Sequence, residues 1–256
     1  MAEAPTPPSD EESRKKTLGH LEYFEREKLI QAGKFIAEHG AGEIADGDVI
    51  VTHGASHHVV EILLAAFDAG KTFRVVVVDS RPKLEGRETL KRLLCRGIPC
   101  AYTTLAGLGY VLRKGGATKT LVGAAAVLAN GAVVSRVGTA VVAAASTHRG
   151  VPVLVAAETC KFHERVQVDA IASNELGNPA EIVDVGSGSG GSGGNGGGGG
   201  GGGGGGSPDS PLRGWEDAER LSVLNLLYDV TPAECVKNIV CESGLVAPAD
   251  VPSFLR

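Results

Sequence analysis

Between Asp48 and Ala157 the chain alternates short apolar runs with amphipathic segments, and this rhythm limits its fold more than any other feature. Asp48–Thr52, Arg74–Asp79, Ala101–Leu105, Thr120–Gly123 and Val153–Ala157 read as short strands, the first two of them buried. Ser56–Ala69, Gly86–Arg96, Gly107–Arg113 and Val137–His148 read as helices, three of them stopped at or near Gly70, Gly97 and Gly150. Within Gly86–Arg96, Glu88 and Arg92 are spaced for an i,i+4 pair. Short apolar strands alternating with helices predict an α/β fold, a mostly parallel sheet with right-handed crossovers and flanking helices.

The rest of the chain divides by composition. Residues 1–17, with MAEAPTPPSDEE at their head, are Pro-rich and acidic and are expected to be disordered. Over residues 18–45, Leu21, Phe24, Leu29, Ala32, Phe35 and Ile36 lie near helical spacing. One helix with an apolar stripe must dock on the next domain or belong to a helical domain cut short here. Residues 46–184 hold the α/β rhythm, and residues 185–214 form a Gly/Ser-rich loop with an unbroken glycine run from Gly196 to Gly206. Such a loop is flexible coil, and closing it costs little more than closing a shorter one. Residues 215–256 complete the α/β domain, with a strand at Asn225–Val230. Thr231-Pro232-Ala233-Glu234 then reads as a helix start, Thr as N-cap and Pro at the first helical position, for a helix running to about Glu242.

A net charge of −5 argues against nucleic acid as the main partner, because phosphate binding needs clustered Lys and Arg. The 5 cysteines are odd in number and lack CxxC spacing, which fits a reducing compartment better than a disulfide framework or a zinc site. The N-terminus lacks the basic and apolar regions of a signal peptide, and no apolar run approaches the ~18 residues of a membrane span.

Polar residues gather where a parallel sheet binds ligands. Asp79 ends a strand, and Ser80, Arg81 and Glu85 crowd the loop that follows. A loop ion pair and a charge at a helix N-terminus explain the same residues without a ligand. Asn130-Gly131 is a turn signal. Gly138 beyond it opens a helix whose free N–H groups suit an anion, with Ser135, Arg136 and Thr139 alongside; a simple turn and cap is the competing reading. Gly107-Leu108-Gly109 lacks the third glycine of a dinucleotide fingerprint, since Leu112 stands there. Gly54-Ala55-Ser56-His57-His58 lacks the last glycine of a nucleophile elbow. His53 and His57 fall on a strand end and a helix start, so they share no helical face for zinc.

Four segments in order carry a family resemblance: Val75–Leu93, LANGAVVSRVGTA at Leu128–Ala140, Val151–Leu176 and NLLYDVTPAE at Asn225–Glu234. Together they resemble the regulatory subunits of eukaryotic translation initiation factor 2B, and the second pair is most like the delta branch. The resemblance implies a Rossmann-like α/β domain preceded by a helical domain, of which residues 18–45 would be a truncated remnant. It implies a non-catalytic, regulatory role in the cytosolic complex that promotes GDP/GTP exchange on initiation factor 2. The implied partners are the beta subunit, paired through the α/β domains, then the alpha, gamma and epsilon subunits and initiation factor 2 itself. Leu224, Asn225, Leu227, Tyr228 and Val230 would lie at the subunit interface.

The same superfamily holds sugar-phosphate isomerases such as methylthioribose-1-phosphate isomerase. Their catalytic Cys and Asp fall at Gly54 and Ala125 here, which carry no reactive group. The resemblance therefore implies no catalytic residue, no cofactor and no metal. It leaves a vestigial anion pocket of Asp79, Arg81, Asn130, Arg136 and Thr139. The alternative is an isomerase-like or small-phosphate-binding protein of the same fold.

Overall fold

The structure, a computed structural model, describes residues 10–167, 174–183, 212 and 214–255. The expected disorder of residues 1–9 and the glycine tract from Gly186 to Ser207 lie outside the described residues. The chain enters as helix α1 (Asp10–Tyr23), passes through π-helical turns at Phe24–Gln31 and continues as α2 (Ala32–Gly42). Residues 10–17 are thus helical where disorder is expected. Asp10, Glu11 and Glu12 sit on the positive end of the helix dipole, and Lys15 and Lys16 follow four residues after Glu11 and Glu12.

Only the end of this helical run docks. Ala32, Ile36, Gly40 and Ala41 are buried, whereas Leu21, Phe24, Leu29 and Phe35 of the expected stripe stay exposed. α2 packs on α3 (His57–Asp68) so closely at Gly40 that a Cβ there would lie 2.5 Å from Ile62.

The sheet strands are β1 (Val49–His53), β2 (Arg74–Asp79), β3 (Cys100–Thr104), β4 (Lys119–Gly123) and, further on, β7 (Val153–Ala156). α4 (Gly86–Cys95) and α5 (Leu108–Lys114) link the early ones, and α6 (Thr139–His148) precedes β7. Arg92 on α4 turns to Glu61 of α3, at 2.6 Å, rather than along its own helix to Glu88. β10 (Asn238–Cys241) and β11 (Gly244–Val246) complete a sheet of order β11-β10-β7-β4-β1-β2-β3, parallel except for β11. The expected parallel α/β architecture is therefore present.

Its core has two faces because side chains alternate along a strand. Val75 and Val77 join Ile50, Leu121 and Leu154 under α3 and α4, while Val76 and Val78 join Val49, Val51, Leu108 and Val142 under α5 and α6. Both sets are buried, which explains why β2 reads as unbroken valine rather than as an alternation.

A second, smaller sheet has the order β8-β5-β6-β9. β5 (Ala126–Leu128) and β6 (Val133–Arg136) form the hairpin that turns at Asn130-Gly131, where Gly131 takes φ 77°. β8 (Phe162–His163) flanks β5, and β9 (Tyr228–Thr231) flanks β6. A short helix α7 (Ala180–Val183) lies before the tract.

The helix expected from Thr231 to about Glu242 does not form. One 3-10 turn at Ala233–Cys235 answers the Thr-Pro start, and the chain then extends into β10. Ile239, Val240 and Cys241 are wholly buried between β7 and β11, and pairing with Leu154–Ala156 outweighs the local start signal. The strand expected at Asn225–Val230 appears as β9, beginning at Tyr228.

Gly40→Val should destabilise the fold by about 1–3 kcal/mol, because the side chain must displace Ile62 from a packed site. Gly19→Ala, on an exposed helical position with open space around it, should leave stability equal or raised by up to ~1 kcal/mol. Urea denaturation midpoints of the two variants measure the contrast.

Candidate functional site

The strand order runs outward in both directions from the β1–β4 pair, so their carboxyl ends form the topological switch point where α/β sheets bind ligands. A cleft of about 780 Å³ opens there, with α2 as one wall. Ser56, Ala125, Ser135, Arg136, Thr139, Glu158 and Lys161 line it. A second recess holds Asp79, Ser80, Arg81 and Glu85 from the β2–α4 loop, and His53 and Arg136 line both. Four of the expected pocket residues, Asp79, Arg81, Arg136 and Thr139, are thus brought together. Asn130 is not: it sits in the β5–β6 turn, where its side chain accepts from Ala132 N–H and donates to the Gln167 carbonyl.

His53 is held neutral. The Thr139 hydroxyl donates to the Arg136 carbonyl at 2.7 Å, so it accepts from His53 Nδ1–H at 2.9 Å. Nε2 keeps its lone pair, buried and without a hydrogen-bond partner. Burial lowers the imidazole pKa to about 4, against the pull of Asp79. Asp79 itself is buried and occupied, accepting from Ser80 N–H at 2.9 Å and from the Tyr102 hydroxyl at 2.8 Å. Burial raises the Tyr102 phenol, and the hydrogen bond to Asp79 raises it further.

Arg136 ties the two recesses to the small sheet. Its Nε lies 3.1 Å from Glu85 Oε2, and its guanidinium sits 5.1 Å from the Tyr228 ring centroid. On the opposite wall Glu158 meets His58 Nε2 at 2.6 Å and Lys161 Nζ at 2.8 Å. Burial alone would raise Glu158, but the His58 hydrogen bond and the Lys161 partner outweigh it and bring its pKa down to about 2.

The free helix start expected at Gly138 is already filled. Asp229, projecting from β9, accepts Gly138 N–H at 2.6 Å and Ala140 N–H at 3.0 Å through Oδ2. Gly138 takes φ 104° there, and a Cβ would collide with His53 Nε2 at 2.9 Å. Burial pushes the Asp229 pKa up to about 6 despite both backbone donors, and Oδ1 is buried without a partner. Gly54 takes φ 61°, and open space surrounds the position of its missing Cβ. Ala125 is pinned by its N–H to the Val134 carbonyl at 2.8 Å. Among the described residues, no three His, Cys, Asp or Glu side chains converge as metal ligands would.

Of the expected interface residues, Leu224 is 62% exposed and Leu227, Tyr228 and Val230 are half-buried. Asn225 is buried within the chain, its amide donating to the Asn178 carbonyl at 2.8 Å, so it braces residues 174–183 rather than facing outward. Sequence reasoning missed Glu158, Lys161 and Asp229. A charged residue inside the apolar run Leu226–Thr231 was the visible signal for Asp229.

The Asp229 pKa gives a signed prediction. It rises from 3.8 to about 6 on folding, so between those values the folded state binds the proton more tightly. Its contribution to stability is fully present below 3.8 and is lost as pH rises through about 6. Asp229→Asn should remove this slope. Urea midpoints across that range should diverge between the two proteins as pH changes and run parallel above it.

Comparison with known proteins places this geometry. The model of the initiation factor 2 subunit family, IF-2B, matches residues 3–248. A translation initiation factor eIF2B subunit delta of Dictyostelium discoideum is 39% identical over 231 residues, covering 90% of this chain and 34% of that protein. A ribose 1,5-bisphosphate isomerase of Pyrococcus furiosus is 32% identical over 233 residues, 91% of this chain and 62% of that one. The crystal structure of the tetrameric eIF2B-beta2-delta2 complex from C. thermophilum superposes with a TM-score of 0.72 at 29% identity, over 92% of this chain and 63% of that chain. The chain thus spans from a third to under two thirds of the length of these relatives. It belongs to the initiation factor 2 subunit family.

Proposed function

We propose that the chain acts as a regulatory, non-catalytic subunit of the initiation factor 2B complex, which promotes GDP/GTP exchange on initiation factor 2 in the cytosol. The observation that carries this reading is a kept cleft without its reactive groups. The switch-point cavity is present, and on the resemblance to the sugar-phosphate isomerases the positions of their Cys and Asp fall at Gly54 and Ala125. Glycine supplies no nucleophile and alanine moves no proton. Asp79, Arg81, Arg136 and Thr139 then hold the inherited frame together rather than serve a reaction.

The role falls to protein contacts. In this reading the beta subunit pairs through the α/β domain, and alpha, gamma, epsilon and initiation factor 2 complete the assembly. Likeness to the delta protein and to a beta–delta tetramer supports the choice of beta. The contact surface is assigned to Leu224, Leu227, Tyr228 and Val230, on and beside the edge strand β9. The α1–α2 run is read as the end of the relatives' helical domain, and residues 46–184 and 215–256 as one α/β unit.

The test is co-purification with a beta subunit. Leu224→Asp should weaken capture by about tenfold or more, since a charge placed in an apolar interface core costs at least ~1.4 kcal/mol. The variant's melting curve should match the parent's, because Leu224 is exposed in the free chain. A well-folded parent chain that never captures beta would defeat the proposal.

The isomerase reading draws on the Pyrococcus relative and the surviving cavity. Incubation with ribose 1,5-bisphosphate or methylthioribose 1-phosphate should yield no product above the uncatalysed rate. Sustained turnover would overturn the non-catalytic assignment.

A further inference from the structure

We propose that β3 is a docking edge for an acidic, extended segment of a partner protein, which adds to the main sheet as one further strand.

β3 closes one end of the main sheet and β11 closes the other. β11 has three residues, whereas β3 has five, Cys100 to Thr104. Val75 N–H donates to the Pro99 carbonyl at 2.9 Å, and Val75 pairs with Cys100. In a parallel ladder this phase turns the backbone groups of Ala101 and Thr103 toward β2, and those of Cys100, Tyr102 and Thr104 outward. Among the described residues no strand lies beyond them. Sheet edges are commonly blocked by a charge, a proline or a bulge. Cys-Ala-Tyr-Thr-Thr holds no charge and no proline, its register against β2 is unbroken, and Ala101, Tyr102 and Thr104 are exposed. Outward N–H and C=O groups in such a row are what strand addition uses.

The side chains beside this edge decide which strand fits. A recess of about 260 Å³ opens at the start of β3, between Pro99, Cys100 and Ala101 and the α5 residues Tyr110 and Val111. It offers room for an apolar side chain of the added strand. On α4, Arg92 and Arg96 turn to Glu61 and Asp68 of α3. A helix turns about 100° per residue, so Arg87, Lys91 and Leu94 fall on the side away from α3, toward β3. Arg87 accordingly hydrogen-bonds the Tyr102 hydroxyl. Arg74 lines the recess, and Lys114 directly precedes Gly115 in its wall. None of the ion pairs among the described residues includes Arg74, Arg87, Lys91 or Lys114.

Residues 74–114 hold nine Lys or Arg and three Asp or Glu, although the whole chain is at −5. Of the three acids, Asp79 is taken by Ser80 and Tyr102, and Glu85 by Arg136, which leaves Glu88. Two copies of this edge would repel each other, so self-pairing is disfavoured and an acidic strand is drawn in. The edge offers backbone donors and acceptors in alternation. A peptide strand matches both, whereas the phosphates of a nucleic acid are acceptors alone.

This inference stands apart from pairing with a beta subunit, which is assigned to β9 at the edge of the smaller sheet. The probe is a capped synthetic peptide of about ten residues that alternates Glu with Val or Thr and carries one Phe. It is titrated into the full chain and followed by calorimetry and amide hydrogen exchange. Binding should saturate and slow exchange at Cys100, Tyr102 and Thr104, while Ala101 and Thr103, already bonded to β2, change little. The peptide with Lys in place of Glu, and one N-methylated at alternate residues, should each bind about tenfold or more weakly. Lys91→Glu combined with Lys114→Glu should weaken the acidic peptide by about tenfold, with an unchanged melting temperature because both side chains are exposed. The absence of saturable binding by the acidic peptide would overturn the proposal. So would equal binding of the Lys or N-methylated peptide, or displacement of the acidic peptide by single-stranded oligouridine of equal or higher affinity.

Discussion

Parallel pairing of β1 with β2 on one side and β4 on the other is the interaction on which the remaining structure depends. A parallel strand in the middle of a sheet needs cover on both faces, because every residue points to one face or the other. Val75, Val77 and Val78 are wholly buried and Val76 nearly so, each worth roughly 1.5–3 kcal/mol of apolar burial. The helices between the strands supply that cover, and right-handed crossovers leave little choice of side. With helices on both faces, the central strands are open at their ends, and the cleft lies at the carboxyl end.

What occupies the cleft is set by a second constraint, the cost of burying charge. The buried or half-buried charges in and beside the cleft have opposite or dipolar partners: Glu158 with His58 and Lys161, Arg136 with Glu85 and Tyr228, Asp229 with the start of α6. The pKa directions follow from how well each partner offsets desolvation. Glu158, with two cationic or donor neighbours, falls to about 2, whereas Asp229, with backbone donors alone, rises to about 6. His53 avoids the problem by staying neutral, its proton committed to Thr139. The same pairs that make the cleft tolerable inside a fold leave few groups free for a ligand.

Much of this was legible along the chain, and the failures have a common cause. The five strands expected between Asp48 and Ala157 all form, because unbroken β-branched runs and glycine stops are local signals. Asp79 and Arg81 were legible as a polar loop because they follow a parallel strand at the sheet's carboxyl edge, whereas Arg136 and Thr139 joined them only through the family resemblance. The Thr231 helix failed because its start signal is local while the burial of Ile239–Cys241 is not. Asn130 failed as a site residue because a hairpin of two short strands carries it away from the cleft, and strands of three or four residues leave almost no periodic trace. Asn225 reads as an outward interface position only until residues 174–183 fold back on it.

Sequence alone settles the class of fold and the sheet edge at which polar loops gather, and it shows no thiol at Gly54 and no carboxylate at Ala125, since residue identity needs no coordinates. Tertiary structure alone decided which groups meet. That Asp229 fills the start of α6, that Thr139 fixes the His53 proton, and that Arg136 spends its charge on Glu85 all depend on pairs distant in sequence. Periodicity reports which face a residue occupies, but hydrogen bonds and ion pairs act over a few ångströms, and only packing brings separated segments that close.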